Sequence, residues 1–275
     1  MMMSNKDFDY EDKIWGINEV DLHPSYLGAT RLKYVLRALE RIKKGKVLEV
    51  GCGGGTFARA IKKYRPELEV LGCDISKEAL KAAREVGQGV EYVLGKAEKL
   101  PFNDRSFEVV VSFDVWEHLD KPQSAFREAA RVLKPRGLMH FFVPLEGNKW
   151  SLYQLLPKKI YEYKTGNTGH IQVYTKEKLT RMLIEVGLKI KKNNYSGGYF
   201  YQLVDLAYFT WLSLRGRNAR VSVEGYLRFC KGGFLDRILG LMKVIFGWLT
   251  YIENELFSWL PLGGIHISAV REKDK

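Results

Sequence analysis

The sequence predicts an α/β protein: one mostly parallel sheet with helices on both faces. Three observations predict it. Short apolar runs alternate with helix-period segments from residue 26 to residue 193, the pattern of a wound sheet and not of a sandwich or a bundle. A glycine cluster, Gly51 to Gly55, falls where the first strand turns into a helix. An acidic residue, Asp74, closes the second strand about twenty residues later.

The elements follow in order. Residues 26–42 read as a helix with Leu27, Leu32, Val35, Leu36 and Leu39 on one face, ended by Lys43-Lys44-Gly45-Lys46. Residues 47–50 form a buried strand, 57–64 a helix and 69–73 the second strand. Ser76 suits the N-cap of a helix that runs to Val86 and stops at Gly87. Strands at 90–94 and 107–113 come next, then a helix over 122–133 closed by the turn Lys134-Pro135-Arg136-Gly137, and a strand over 138–143. Thr175 caps a helix to residue 186, and strands at 188–193 and 265–270 complete the set.

The bulk numbers narrow the class. With 275 residues, 46% of them hydrophobic and 28% charged, the chain can build a sizeable core, which excludes wholesale disorder. Three unpaired cysteines, Cys52, Cys73 and Cys230, fit neither a disulfide framework nor a zinc site and suit a reducing, cytoplasmic setting. The first eleven residues hold no apolar run of a secretory signal, and no uncharged apolar stretch is long enough to span a bilayer. A net charge of +12 suits an acidic partner or simply a solvated, lysine-rich surface.

Residues 199–260 break the alternation. They hold 14 of the 35 aromatic side chains, so this stretch is an insertion between the last two strands and not part of the sheet. Residues 234–260 read as one amphipathic helix. Asp236, Gly240, Lys243, Gly247, Thr250 and Asn254 form a small or polar stripe; Leu235, Leu239, Met242, Phe246, Leu249, Ile252 and Leu256 form an apolar one. Three roles suit such an insert: a cap enclosing an apolar acceptor, a peripheral membrane contact, or an apolar face packed on the core or on a second copy as a homodimer. Its basic residues, from Arg215 to Lys243, exceed its acidic ones by only seven to five.

The chemistry starts at the glycine loop. Glycines there let a ligand lie against bare backbone, and the helix beyond offers free N–H groups to a carboxylate or phosphate. Asp74 can accept both hydroxyls of a ribose. A dinucleotide wants a third glycine three residues after the second, where Thr56 stands. Glu49 would also oppose a pyrophosphate but suits a cationic amino group. The local chemistry therefore favours S-adenosylmethionine, leaving S-adenosylhomocysteine as product, over NAD.

Four segments then carry a resemblance. Glu49-x-Gly51-x-Gly53-x-Gly55, the run Gly95 to Phe102, Phe107-Glu108-Val109-Val110, and Glu128-x-x-Arg131-Val132-Leu133-Lys134-Pro135-x-Gly137 appear in order. Together they are similar to the motifs of class I S-adenosylmethionine-dependent methyltransferases of the small-molecule or lipid type. The resemblance covers residues 46–144 and weakens toward 187. It implies a Rossmann-like seven-stranded sheet with the last strand antiparallel. It implies an N-terminal helical segment (1–45), a cofactor-binding core (46–198), a helical cap (199–262) between strands six and seven, and a closing strand and tail (263–275). It further implies that the Gly51, Cys52, Gly53 and Gly55 backbone meets the methionine portion, Asp74 the ribose and Ile75 the adenine. Ala97 and Glu98 would border the adenine, and Phe113 would lie beside the cofactor. Lys96 departs from the family, which often has an acid there; lysine only donates.

Methyl transfer needs positioning first, and a base only where the acceptor must lose a proton. His118, just past the fourth strand, and His170, before the helix capped by Thr175, are the catalytic candidates. Glu117-His118 resembles the corresponding spot of ubiquinone-type O-methyltransferases, where acids and a histidine can sit near a divalent metal. No metal is required by the sequence, but Asp114, Glu117 and His118 could ligate one. Tyr153, Tyr161, Tyr163 and Trp150 fall where substrate-covering elements are usual. The acceptor is expected to be a small or lipid-like molecule. The rivals are an RNA methyltransferase, a non-catalytic cofactor-binding or membrane-associated protein, and, more distantly, an NAD-dependent dehydrogenase. Nucleic acid is disfavoured, because Ser112-Phe113-Asp114-Val115 lacks the Asn/Asp-Pro-Pro-aromatic motif of amino-group methylases.

Overall fold

The computed structural model describes residue 11 and residues 14–17, 19–214 and 234–272; over 234–240 and at 243 it describes the backbone alone. Cys230 and the basic residues from Arg215 to Lys231 lie outside the described residues.

The apolar runs become one seven-stranded sheet in the order β3-β2-β1-β4-β5-β7-β6. Its strands are β1 (Gly45–Val50), β2 (Leu68–Asp74), β3 (Glu91–Leu94), β4 (Phe107–Phe113), β5 (Leu133–Pro144), β6 (Leu188–Ser196) and β7 (Gly264–Arg271). β1 pairs parallel with β2 and β4, while β7 runs antiparallel between β5 and β6. The helices are α1 (Ala29–Leu39), α2 (Thr56–Tyr64), α3 (Lys77–Val86), α4 (Pro122–Val132), α5 (Lys158–Thr168), α6 (Lys176–Glu185), α7 (Tyr199–Leu214) and α8 (Phe234–Phe257).

Two apolar layers sandwich the sheet. On one face Phe126 and Ala129 of α4 and Leu179 and Leu183 of α6 meet Val110, Phe141 and Ile267. On the other, Leu32 and Val35 of α1, Ile61 of α2 and Leu80 of α3 meet Val47, Val70 and Val109. These helices form where the sequence has the right period and cap: Ser76 accepts from the Ala79 N–H and Thr175 from the Lys178 N–H. The strand order reverses between β1 and β4, which opens a crevice at their carboxyl ends.

Three local readings change. The turn over residues 134–137 is a bulge inside β5: Phe107 pairs with Leu133 and Val109 with Leu138, and Arg136 takes a positive φ of 64°. Residues 158–168, without amphipathic period, form α5; their inward groups are polar and bonded instead. The insert between β6 and β7 is helical, but α8 does not press its apolar stripe on the core. Gly247, Thr250 and Asn254 face inward with Phe246, while Met242, Leu249, Ile252 and Leu256 are exposed. Neighbouring backbone decides this: a Cβ on Gly247 would come within 2.6 Å of the Pro24 carbonyl, and Asn254 bonds both Thr30 and Gly197.

Candidate active site

A single cavity of about 600 Å³ runs from the glycine loop, under α7 and α8, to the loop before α6. At its upper end Gly51 and Gly53 have φ of +72° and +50°, which side chains rarely tolerate. A Cβ on Gly53 would approach the Trp15 carbonyl at 2.5 Å. Cys52 is buried beside them, its thiol raised by burial, which keeps it an inert wall. Gly55, with φ +81°, starts α2 and is not part of the lining.

Asp74 ends β2 in the expected place and does something the sequence did not announce. Its Oδ2 accepts from the Gly53 N–H at 2.7 Å and its Oδ1 from the Ser76 N–H at 2.9 Å. The carboxylate thus fixes the loop and keeps further lone pairs for a diol. Glu49 is buried at the end of β1; burial, and to a smaller degree Asp74, push its carboxyl up to about 8. Its Oε2 has no hydrogen-bond partner among the described residues. Exposed Ile75, with Ala97, Glu98 and Lys96, forms one wall, and Phe113 stacks on Phe57 at 4.3 Å on the other. The residues before α1 close the top: the Trp15 carbonyl accepts from Gly54 N–H at 2.7 Å and that of Gly16 from Thr56 N–H at 3.0 Å.

The lower half is polar and buried. A short 3-10 turn, Trp116 to His118, follows β4. Trp116 is wholly buried and stacks on Phe126 at 4.2 Å, so the turn is anchored and His118 points into the cavity. The Glu117 carbonyl accepts from the Ile171 and Gln172 N–H groups, each at 2.9 Å, which carries His170 to His118. Their ring centroids are 5.0 Å apart, edge to face. His118 Nδ1 lies 3.0 Å from the Gly169 carbonyl, which only accepts, so Nδ1 carries the proton. Burial, and next His170, push His118 down to about 3, and it is neutral.

His170 Nδ1 lies 3.0 Å from Glu146 Oε1, so Nδ1 again carries the proton. Glu146 also accepts from Lys164 at 2.5 Å and Tyr161 at 3.0 Å. Burial raises its carboxyl, but Lys164 and His170 outweigh that and hold it below the usual carboxylate range. Burial lowers Lys164, and Glu146 more than restores it. Below them the Tyr153 hydroxyl donates to Asp205 of α7 at 2.7 Å. Trp150 is exposed, and Tyr163 joins a small cluster with Phe209.

The Asp114 of the anticipated metal trio stands apart. It has φ +54° and its Oδ1 accepts from Arg31 at 3.1 Å. His170 takes its place: Glu117, His118 and His170 each bring a ligand-capable atom within 4.8 Å of the others. Glu117 is buried, neither carboxyl oxygen has a partner among the described residues, and burial raises it well above its usual range.

Glu146, Lys164, Arg31 and Asp205 were missed by sequence reading. Only Glu146 had a signal: an acid just beyond the carboxyl end of a central strand.

Comparison with known proteins now has geometry to meet. Residues 48–141 match the model of a methyltransferase domain. The ubiquinone biosynthesis O-methyltransferase of Aliivibrio fischeri is 31% identical over 216 residues, 73% of this chain and 87% of that one. The demethylmenaquinone methyltransferase of Thermotoga maritima is 26% identical over 174 residues, 58% of this chain and 76% of that one. Phosphoethanolamine N-methyltransferase 2 of Haemonchus contortus, solved with S-adenosyl-L-methionine, superposes with a TM-score of 0.61 at 16% identity. That match covers 98% of this chain and 58% of the other, and it shows the fold alone. The chain belongs to the class I S-adenosylmethionine-dependent methyltransferases, of the small-molecule type. The residues present fit the cofactor: glycine backbone lines the upper cavity, and one oxygen of the buried Glu49 carboxyl beside it has no partner among the described residues.

Proposed function

We propose that the chain methylates an oxygen or carbon of a lipid-like small molecule, with a hydroxyl-bearing head in the lower cavity. S-adenosylmethionine supplies an electrophilic methyl group. The Gly51, Cys52 and Gly53 backbone would hold its methionine end, Glu49 its ammonium and Asp74 its ribose, with Ile75, Ala97, Glu98 and Phe113 around the base. Lys96 offers the adenine no side-chain acceptor, so that contact would fall to backbone or to Glu98. His170 accepts the proton of the acceptor hydroxyl at Nε2, since Glu146 holds its other nitrogen protonated. His118, a neutral and weak base, orients the acceptor. The 199–262 segment caps the acceptor and gives the enzyme a peripheral membrane contact in a cytoplasmic setting.

One observation carries this reading: the glycine loop and the His118–His170 pair open into the same cavity. The relatives named for ubiquinone and demethylmenaquinone support a ring acceptor with an apolar tail. A divalent cation at Glu117, His118 and His170 is the second reading, favoured by the two unpartnered Glu117 oxygens; it would make the acceptor hydroxyl more acidic and stabilise its alkoxide or phenolate.

The test is a heavy-methyl screen of cell extract, reading label in lipids, polar metabolites or RNA. Label in the lipid fraction is expected; label in RNA overturns the proposal. Asp74→Ala should weaken S-adenosylhomocysteine binding about a hundredfold by calorimetry, since hydrogen bonds to a charged group contribute about 1.5–3 kcal/mol each. His170→Ala should keep that affinity and lower kcat about 10²–10⁴-fold. Magnesium or manganese dependence that vanishes in Glu117→Gln would mark the second reading.

A further inference from the structure

The insert buries polar groups and exposes apolar ones, α8 more than α7. In α7 Gln202 and Asp205 are buried alongside Phe209 and Leu212, while Leu203 and Leu214 face solvent. In α8 the outward side carries Leu241, Ile245, Trp248, Leu249, Ile252 and Leu256, with Trp259 just beyond. Leu241 is 61% exposed, Leu256 62% and Trp259 70%. From Leu241 to Leu256 they span sixteen positions, about 23 Å of helix surface at 1.5 Å per residue. A patch this large on a small-molecule enzyme marks an interaction surface.

The helix has no freedom to roll this face inward. Gly247 sits against the Pro24 and Ser25 backbone, and any side chain there would collide. Asn254 donates to Thr30 at 3.1 Å and accepts from the Gly197 N–H at 2.9 Å. On the flank Lys33 bonds Glu255 at 2.5 Å and Tyr251 at 3.2 Å. The orientation is held by five residues of three elements.

We propose that the outward face of α8 docks on an anionic lipid bilayer, with the helix lying in the plane of the interface. Three features select this occupant. The insert carries Arg215, Arg217, Arg220, Arg228, Lys231, Arg237 and Lys243 against Asp205, Glu224, Asp236, Glu253 and Glu255, a small basic excess on a strongly basic chain. Anionic lipid attracts that excess, whereas two copies of a chain of net charge +12 repel each other. Trp248 and Trp259 bring amphipathic rings, which suit the headgroup boundary. No helix among the described residues is long and apolar enough to cross a membrane, so α8 rests on the surface. The opposite stripe of the same helix, Thr250 and Asn254, lines the cavity that holds His170. A bilayer-borne acceptor is therefore one helix width from the cavity. The docking deepens the peripheral membrane contact proposed above, and this last point rests also on the lipid-like acceptor.

The test is sedimentation of the full chain with vesicles of phosphatidylcholine alone and of phosphatidylcholine with phosphatidylglycerol. The wild type should sediment with the mixed vesicles and lose binding in high salt. Leu249→Gln/Ile252→Gln/Leu256→Gln should weaken binding about a hundredfold or more, because each apolar side chain inserted contributes roughly tenfold. All three are exposed, so its melting temperature and S-adenosylhomocysteine affinity should match wild type. Trp248→Ser/Trp259→Ser should act in the same direction if folding of the triple variant fails. Wild type left in the supernatant with both vesicles overturns the proposal, whether a second copy or residues 215–233 cover the face instead. Equal sedimentation of wild type and variants overturns it too. Loss of S-adenosylhomocysteine binding with docking intact would strike the methyltransferase reading alone.

Discussion

Helices α2 and α8 obey opposite rules. Of the buried positions of α2, Ala58, Ala60 and Ile61 join the apolar layer on the sheet while Arg59 bonds the Gly54 and Ile17 carbonyls, and Lys63 stands toward solvent. In α8 the buried positions Gly247, Thr250 and Asn254 are small or polar, with Phe246 the apolar residue among them, and the leucines and isoleucines whose side chains are described, such as Leu249, Ile252 and Leu256, are outside. The difference lies in what each helix meets. α2 lies on strands whose outward side chains are Val47 and Val70, which offer only apolar contact. α8 lies across the ends of β6 and β7 and the loop before α1, where backbone groups wait for partners. An amphipathic period therefore identifies a helix without telling which side is the inside. That is decided by whether the neighbour is a sheet face or a sheet end.

Substitution should separate the two regimes. Ile61→Ala, buried in the first, should lower stability by about 2–5 kcal/mol, whereas Leu256→Ala, exposed in the second, should stay within about 0.5 kcal/mol. Urea unfolding of both variants checks this, and a large loss for Leu256→Ala would restore the conventional orientation of α8. Asn254→Ala should then be the costly change in α8, about 1–3 kcal/mol, because it strands the Gly197 N–H and the Thr30 hydroxyl. Its cofactor affinity should not move, since Asn254 bonds Thr30 and Gly197 and neither the glycine loop nor Asp74.

The core was legible because each of its elements carries a local signal. Ser76 and Gly87 bound α3 where they were expected, and 107–113 is β4 to the residue. The cofactor half of the cavity was legible for the same reason: a strand, a glycine turn and a strand-ending acid are all short-range features. The acceptor half was not. His118 and His170 meet only because two N–H groups of one loop bond a single carbonyl of another, across more than fifty residues. Glu146 and Lys164 are buried only because they neutralise each other, which no periodicity reports. α5 escaped notice because its inward residue is that lysine.

The last effect concerns a proton. Glu49 belongs wholly to the core, and burial lifts its carboxyl from 4.5 to about 8. Between those values the folded chain keeps a proton that the unfolded chain has released. The stability this contributes is fully present below pH 4.5 and is lost as pH rises through about 8. The melting temperature of the ligand-free chain should therefore fall across that window, and Glu49→Gln, which does not ionise, should flatten the fall. Binding runs the other way. A cationic amino group beside Glu49 favours the carboxylate, so S-adenosylhomocysteine affinity should rise with pH over the same range, with a proton released on binding. Calorimetry in two buffers of different ionisation enthalpy reads that proton directly. If Glu49→Gln binds with the same proton release and the same pH slope as wild type, the ammonium lies elsewhere and the glycine loop holds the ligand without its acid.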